Sequence, residues 1–410
     1  MSLAEPVSTD ILIIGGGMVG ASLALGLRQS PWQVALVDPR QPDPAALPPV
    51  TSAEDFSARV SALSPHSQDW LTRLGVWPTL PADRLSPYTH MQVWDAEGSG
   101  ELVFDPQGAD LHRLGHIVEN RVVEQGLWTA LEQWPDLTLL SGCRVAAIEQ
   151  AEPASQGDAE PRWRIQLEDG REASTRLLLI ADGARSPTRA MLGFQTRDWS
   201  YQQTAIVATV EHDLPHGQTA RQAFHRDGPL AFLPLAMPHA SSIVWSLDDA
   251  AATSFLAADA ATQTRRLAAG LGHRLGAVGL VGRVHHFPLQ QRHAVHYIHT
   301  GAALVGDAAH SIHPLAGQGA NLGLRDAAAL ADILQSAATQ GLPLEEPLLL
   351  RRYQRARQSE NLETMAAMEG LKRLFGSPRA DLHLLRNLGL RWFNRQPQLM
   401  RAAIRRAAGL

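Results

Sequence analysis

The segment TDILIIGGGMVGASLALGL, residues 9–27, leaves few folds open. Ile11–Ile14 is a short β-branched and aliphatic run of the kind buried on both faces in a parallel sheet. Gly15, Gly17 and Gly20 follow at once in G-x-G-x-x-G spacing. The first glycine permits a tight turn, the second lets a pyrophosphate approach the backbone, and the third lets helix pack on strand. A helix is expected over Ser22–Gln29, stopped by Ser30 and Pro31, and Val34–Val37 reads as the next strand. Asp38 closes that strand 18 residues after Gly20, where a carboxylate accepts hydrogen bonds from a ribose diol. A carboxylate there disfavours a 2′-phosphate, so FAD or NAD is favoured over NADP. The unpaired N–H groups of the helix N-terminus suit the phosphates.

Two more turns carry glycine and aspartate. In LLLIADGARSPTR an apolar strand ends at Asp182-Gly183, followed by Ser186 and Arg189. In GAALVGDAAHSIHPLAGQGANLGLRDAAAL a strand delivers Gly306 and Asp307 to its end. Pro314 then fixes the chain, Gly317 and Gly319 free the backbone, and a helix begins near Asn321 with an apolar stripe of Leu324, Ala327, Ala328, Ala331 and Leu334. A second helix N-terminus of this kind favours the anionic reduced form of a flavin. Asp307, His310 and His313 also have the residue types of a two-histidine, one-carboxylate iron site, but the glycine-rich flavin reading uses the whole segment, and no metal is expected.

Cys143 is the only cysteine, so an internal disulfide, a cysteine-based zinc site and an iron–sulfur cluster are excluded. A net charge of −5 argues against a dedicated nucleic-acid binder. The apolar run Ile11–Leu27 is broken by Gly15, Gly16, Gly17 and Gly20 and preceded by Glu5 and Asp10 with no positive charge, so it reads neither as a membrane span nor as a signal peptide. The expected location is cytoplasmic or peripheral at the inner face of the cytoplasmic membrane.

These segments, with SARVSALSP, LGHIVENRVVEQGLW and LRNLGLRWFNRQPQL, resemble the single-component FAD-dependent aromatic hydroxylases of the p-hydroxybenzoate hydroxylase fold. Within that group the chain is most similar to the ubiquinone-biosynthesis hydroxylases, and LGHIVENRV looks most like the branch acting at ring carbon 5 of a polyprenylphenol. The resemblance implies that Gly15, Gly17, Gly20 and Asp38 hold the ADP half of FAD. Arg59, Asn120 and Arg121 line its ribose and pyrophosphate, and Asp182 and Gly183 serve FAD and the pyridine nucleotide. Gly306 and Asp307 meet the ribityl chain, and Pro314, Gly317, Gln318, Gly319 and Asn321 lie against the isoalloxazine ring. Many relatives have glutamate in place of Asp38. The implied reaction is reduction of FAD by NAD(P)H, formation of a C4a-hydroperoxide with O2, and attack by an electron-rich phenol ring. The flavin carries that chemistry, which accounts for the absence of a catalytic triad or carboxylate pair. No phenol-activating residue stands out.

The expected fold class is α/β: a Rossmann-like FAD-binding domain, an inserted antiparallel β-sheet substrate domain and C-terminal helices. The boundaries read as 1–75, 119–199 and 299–340 for the three FAD-binding segments, 76–118 for an excursion into the substrate lobe, 200–298 for that lobe, and 341–410 for the helical tail. A helix is expected at 258–271. Phe232, Leu233 and Pro234 are candidates for the apolar wall of the ring pocket, or ordinary core. The tail from 380 carries six arginines against Asp381, interleaved with Leu384, Leu385, Leu388, Trp392, Phe393 and Ile404. Such a helix lies on an anionic membrane or packs on the FAD domain. The expected partners are therefore a polyprenylated phenol, O2, and either other ubiquinone-biosynthesis proteins or a membrane surface. Three rivals remain at this stage. A hydroxylase of a small soluble phenol would want an arginine in its pocket. A halogenase would want a catalytic lysine, yet Lys372, the only one, lies far downstream. The third is a non-catalytic FAD-holding component.

Overall fold

A computed structural model describes residues 6–40, 47–151, 162–311, 318–376 and 380–410. His313, Pro314 and Gly317 lie outside the described residues, as does the polar stretch 152–161. Strand Val7–Ile14 sits at the centre of the first sheet, parallel to Val34–Asp38 on one side and Glu172–Ile180 on the other, with Ile11 opposite both Val34 and Leu177. Thr138–Ser141 extends one edge and Ala302–Leu304 the other, both parallel. The four residues Ile11–Ile14 are buried, as the unbroken apolar run requires of a strand covered on both faces. The hairpin of Val145–Gln150 and Trp163–Leu167 pairs onto Glu172–Ile180.

The first helix runs Met18–Gly26, not Ser22–Gln29. Its N-cap is Gly17, because the strand-to-helix turn is completed within the three glycines and the helix starts immediately beyond them. It packs against helices Asn120–Glu132 and Gln318–Thr339. Thus the first and third glycine motifs share one layer of the same unit.

The second sheet has eight strands and follows the order His310–Ser311, Val278–Ala294, Thr196–His212, Ala240–Asp248, Gly228–Pro234, Thr219–His225, His90–Asp95, Glu101–Phe104. All its pairings are antiparallel except that between Thr219–His225 and His90–Asp95. A third sheet joins Val60–Leu63, Gly115–Glu119 and Leu85–Tyr88. Residues 76–118 therefore divide between two sheets. The helix expected at 258–271 is present as Ala260–Gly270, and a further helix, Asp249–Ala257, precedes it. Asp259 breaks the run, its carboxylate accepting the Thr262 N–H at 2.7 Å to cap the second helix.

The tail folds as Pro347–Gly376, Ala380–Asn394 and Pro397–Ala408. Helix Pro347–Gly376 packs against helix Gln318–Thr339 of the FAD-binding unit, with the Tyr353 hydroxyl donating to the Leu304 carbonyl at 2.9 Å; helix Ala380–Asn394 packs against strand Glu101–Phe104 of the second sheet, and Gly409 lies against Arg325. Buried Arg386 donates to Asp95 at 2.8 and 2.5 Å and to the Phe375 carbonyl at 2.8 Å. Asn387 accepts the Ser99 and Gly100 N–H groups at 2.8 and 2.6 Å. No helix of the described residues is long and apolar enough to cross a membrane.

Candidate active site

Gly15 has φ +105°, a region that L side chains rarely adopt, and a Cβ there would stand 2.4 Å from the Ala181 carbonyl oxygen. A Cβ on Gly20 would stand 1.8 Å from the Gly15 carbonyl oxygen. The first motif is thus closed by two contacts that only glycine permits, and one of them is made to the second motif. At Gly17 a Cβ would meet nothing nearer than the Arg40 guanidinium at 3.8 Å. That gap lies beside a helix N-terminus with no side-chain cap. An open cradle of backbone donors is what a pyrophosphate needs, so the residues present fit the ADP half of FAD.

Asp38 is buried, and one of its oxygens accepts the Gly16 N–H at 2.5 Å. The other accepts the Arg40 N–H and Nε at 2.9 and 3.0 Å. Arg40 also donates to Glu124 at 2.8 Å. Trp128 Nε1 donates to the Gly16 carbonyl at 2.9 Å. Arg40 and Trp128 carried no signal at the sequence level, since neither belongs to the glycine spacing.

Gly183, at φ +87°, turns the chain after Asp182. One Asp182 oxygen receives the Thr188 N–H at 3.4 Å; the other is buried with no hydrogen-bond partner in the described structure. Burial pushes this carboxyl up from its usual range. An orphaned buried acceptor beside the glycine turn is a further fit to a hydroxyl-rich cofactor. Arg189, buried, donates to the Ala308 carbonyl at 2.8 Å and to Ala184 at 3.1 Å, tying the second motif to the third.

In the third motif Gly306 has φ +63°, and a Cβ there would press on Val19 at 3.0 Å. Its N–H donates to Asp326 at 3.1 Å. Asp326 also pairs with His310 Nε2 at 2.5 Å and Arg357 Nε at 2.7 Å. His310 is therefore engaged by a helix carboxylate. Asp307 is solvent-accessible in the cleft, yet the protein crowding it raises its carboxyl pKa, an effect opposed by the charges of His310 and Arg59. Arg59 is itself exposed, with its carbonyl held by the Asn120 N–H at 3.0 Å. Asn120 accepts the Ser61 hydroxyl at 2.7 Å, and Arg121 donates to Glu119 at 3.0 Å and to the Asp55 carbonyl at 2.5 Å.

Gly319 sits in the first turn of helix Gln318–Thr339, and a Cβ there would meet nothing within 4 Å. Asn321, fully buried, accepts the Ser64 N–H at 2.9 Å and the Ser67 hydroxyl at 2.7 Å and donates to the Ala62 carbonyl at 2.8 Å. Its side chain is committed to strapping this helix to the strand Val60–Leu63. Phe232 is buried with Ile206, Trp245, Phe255 and Leu267, on the sheet face covered by helices Asp249–Ala257 and Ala260–Gly270. Leu233 points to the opposite face, among Phe56, Ile117 and Leu235. Strand alternation separates the expected wall residues; Phe232 is core, and Pro234 shares its side of the strand.

A large apolar cavity of about 600 Å³ lies elsewhere, between the edge of the substrate sheet and the tail. Ala62, Ser64, Tyr88 and Leu114 line it on the FAD side; Val93, Phe224, Phe375, Leu390, Phe393 and Ile404 are among its other walls. Asn321 bonds to both Ala62 and Ser64, so the inner end of the cavity adjoins the start of the third-motif helix. No sequence pattern exposed this site, because its walls come from segments as far apart as Ala62 and Ala408.

Three glycine turns converging on one parallel sheet, with an apolar chamber beside them, define a flavin-dependent oxygenase framework. The comparisons agree. The chain matches the FAD binding domain family over residues 8–365. It is 36% identical to the 3-demethoxyubiquinol 3-hydroxylase of Escherichia coli (strain K12), over 98% of this chain and 99% of that one. It is 35% identical to the ubiquinone biosynthesis monooxygenase COQ6 of Xenopus tropicalis, over 96% and 92%. The crystal structure of the p-nitrophenol 4-monooxygenase PnpA from Pseudomonas putida DLL-E4 shares the fold, with a TM-score of 0.76 at 18% identity over 97% of both chains. The chain belongs to the FAD-dependent ubiquinone-biosynthesis hydroxylases, and is a flavin-dependent aromatic monooxygenase.

Proposed function

We propose that this monooxygenase hydroxylates the ring of a polyprenylated phenol, a quinone precursor, with NAD(P)H as electron donor. FAD, when bound, would relay electrons from NAD(P)H to O2 and so supply the oxygen-activating chemistry. The chain's own part is to hold the ring at the FAD-side end of the cavity, house the prenyl chain and keep water out. Gly15, Gly17, Gly20 and Asp38 would hold the ADP half, with Arg59 and Asp307 nearer the ribityl chain. The apolar cavity carries this reading: a prenyl chain is a purely hydrocarbon ligand, and burying it gains roughly 0.8 kcal/mol per CH₂. A small carboxylated phenol is disfavoured, because the arginine lining the cavity, Arg386, is already neutralised by Asp95 at 2.5 Å.

The test is to supply the holoenzyme with NADH or NADPH and detergent-solubilised phenols bearing zero to eight isoprene units, and to identify products by mass. Turnover should rise with the first few units and yield a product one oxygen heavier. Equal turnover of an unprenylated phenol would refute the assignment of the cavity.

A further inference from the structure

Helix Ala380–Asn394 has two unlike stripes. Arg386, Leu390 and Phe393, at i, i+4 and i+7, face inward and line the cavity. Leu388, Arg391, Trp392 and Arg395, at i, i+3, i+4 and i+7, form the other stripe, the last just beyond the helix end. On it Leu388 is 54% and Trp392 58% exposed, although both are large apolar side chains. Arg391 and Arg395 are also exposed and make no ion pair with a described residue, unlike Arg401 and Arg406, which pair with Asp110 and Glu363. Between the stripes stands Gly389; it and Leu371, on the adjoining helix Pro347–Gly376, are each both solvent-exposed and part of the cavity lining. The outer stripe is therefore continuous with the cavity mouth.

We propose that this stripe docks the protein on an anionic lipid bilayer. Trp392 and Leu388 enter the headgroup–acyl boundary, where an amphipathic ring and an aliphatic chain are stable, while Arg391 and Arg395 meet lipid phosphates. The charge selects this occupant: a second copy of the chain would bring arginine onto arginine. The purpose of the placement rests on the polyprenyl reading, since a bilayer is where such a chain dissolves, and docking sets the mouth at Gly389 and Leu371 against that source.

The experiment is co-flotation of FAD-loaded protein with vesicles of equal phosphatidylglycerol and phosphatidylcholine, and with phosphatidylcholine alone. The protein should float with the anionic vesicles and not with the neutral ones. The double variants L388S/W392S and R391E/R395E should each lower the bound fraction about tenfold or more. All four side chains are exposed, so melting temperature, FAD content and turnover of a short-chain phenol in solution should stay unchanged. Unaltered vesicle binding by both variants would overturn the proposal. So would a dimer that L388S/W392S dissociates, which would assign the stripe to self-association. Vesicle binding by a protein that oxidises no prenylated phenol would refute the substrate reading while leaving the docking face standing.

Discussion

The candidate sites in the two halves of this molecule are built differently. In the FAD-binding unit the recognition elements are backbone turns: Gly15 at φ +105°, Gly183 at +87° and Gly306 at +63°, each at the end of a strand of one sheet. In the other half the apolar chamber proposed for the substrate is a void between elements, walled by side chains such as Val93, Phe224, Leu390 and Ile404 that meet only when the tail closes over the sheet. A turn is a local object, and its chemistry is readable from a few consecutive residues. A chamber is a difference between volumes, and depends on every wall being in place. The first half should therefore fail by single atoms and the second by loss of closure.

The largest effect is expected where closure hangs on one buried charge pair. Arg386→Met leaves Asp95 uncompensated and should cost ~3–5 kcal/mol of local stability. Limited proteolysis should then release the tail while the flavin absorbance remains. Simultaneous loss of flavin would mean that the halves are not separable. Next comes Gly20→Ala, whose Cβ would stand 1.8 Å from the Gly15 carbonyl oxygen. FAD affinity, followed by fluorescence, should fall by about 100-fold or more, equivalent to ~2.7 kcal/mol, with the tail still protected from protease.

Filling the chamber sharpens the same contrast. Ala403→Phe places a ring in the cavity. It should raise KM for a long-chain phenol about tenfold, a loss of ~1.4 kcal/mol, and leave KM for a short-chain analogue and FAD affinity unaltered. The smallest effect is one of pH. Burial holds His116, His212 and His293 at about 4, against an ordinary value near 6.5. The unfolded chain takes up protons in that interval and the folded chain does not, so the stabilisation is complete above about 6.5 and is lost as pH falls towards 4. Two of these histidines lie on the substrate sheet and none in a glycine turn. Between pH 7 and 5 the melting temperature should drop by about a few degrees, with unfolding of the substrate sheet preceding flavin release.

What was readable from the chain follows this division. The strand at Ile11–Ile14, the turn glycines, Asp38 and the strand leading to Gly306 announce themselves through short-range spacing, and the structure has those elements. The first helix starts four residues earlier than expected because its cap is a motif glycine with no polar cap residue to mark it. Arg189 bridging to Ala308 and Asp326 gathering Gly306, His310 and Arg357 are invisible in sequence, since the partners are up to 119 residues apart. Phe232 and Leu233 looked alike in composition, and only the sheet's two differently covered faces separate them.

By itself the sequence determined the cofactor class, because the conformations that admit a pyrophosphate are open to glycine and few other residues, and spacing places them at strand ends. The tertiary structure alone decided where an apolar chamber lies and which side of the tail meets the protein. A cavity exists only as the space left when distant segments pack, and a helix's inner and outer faces are defined by what it packs against.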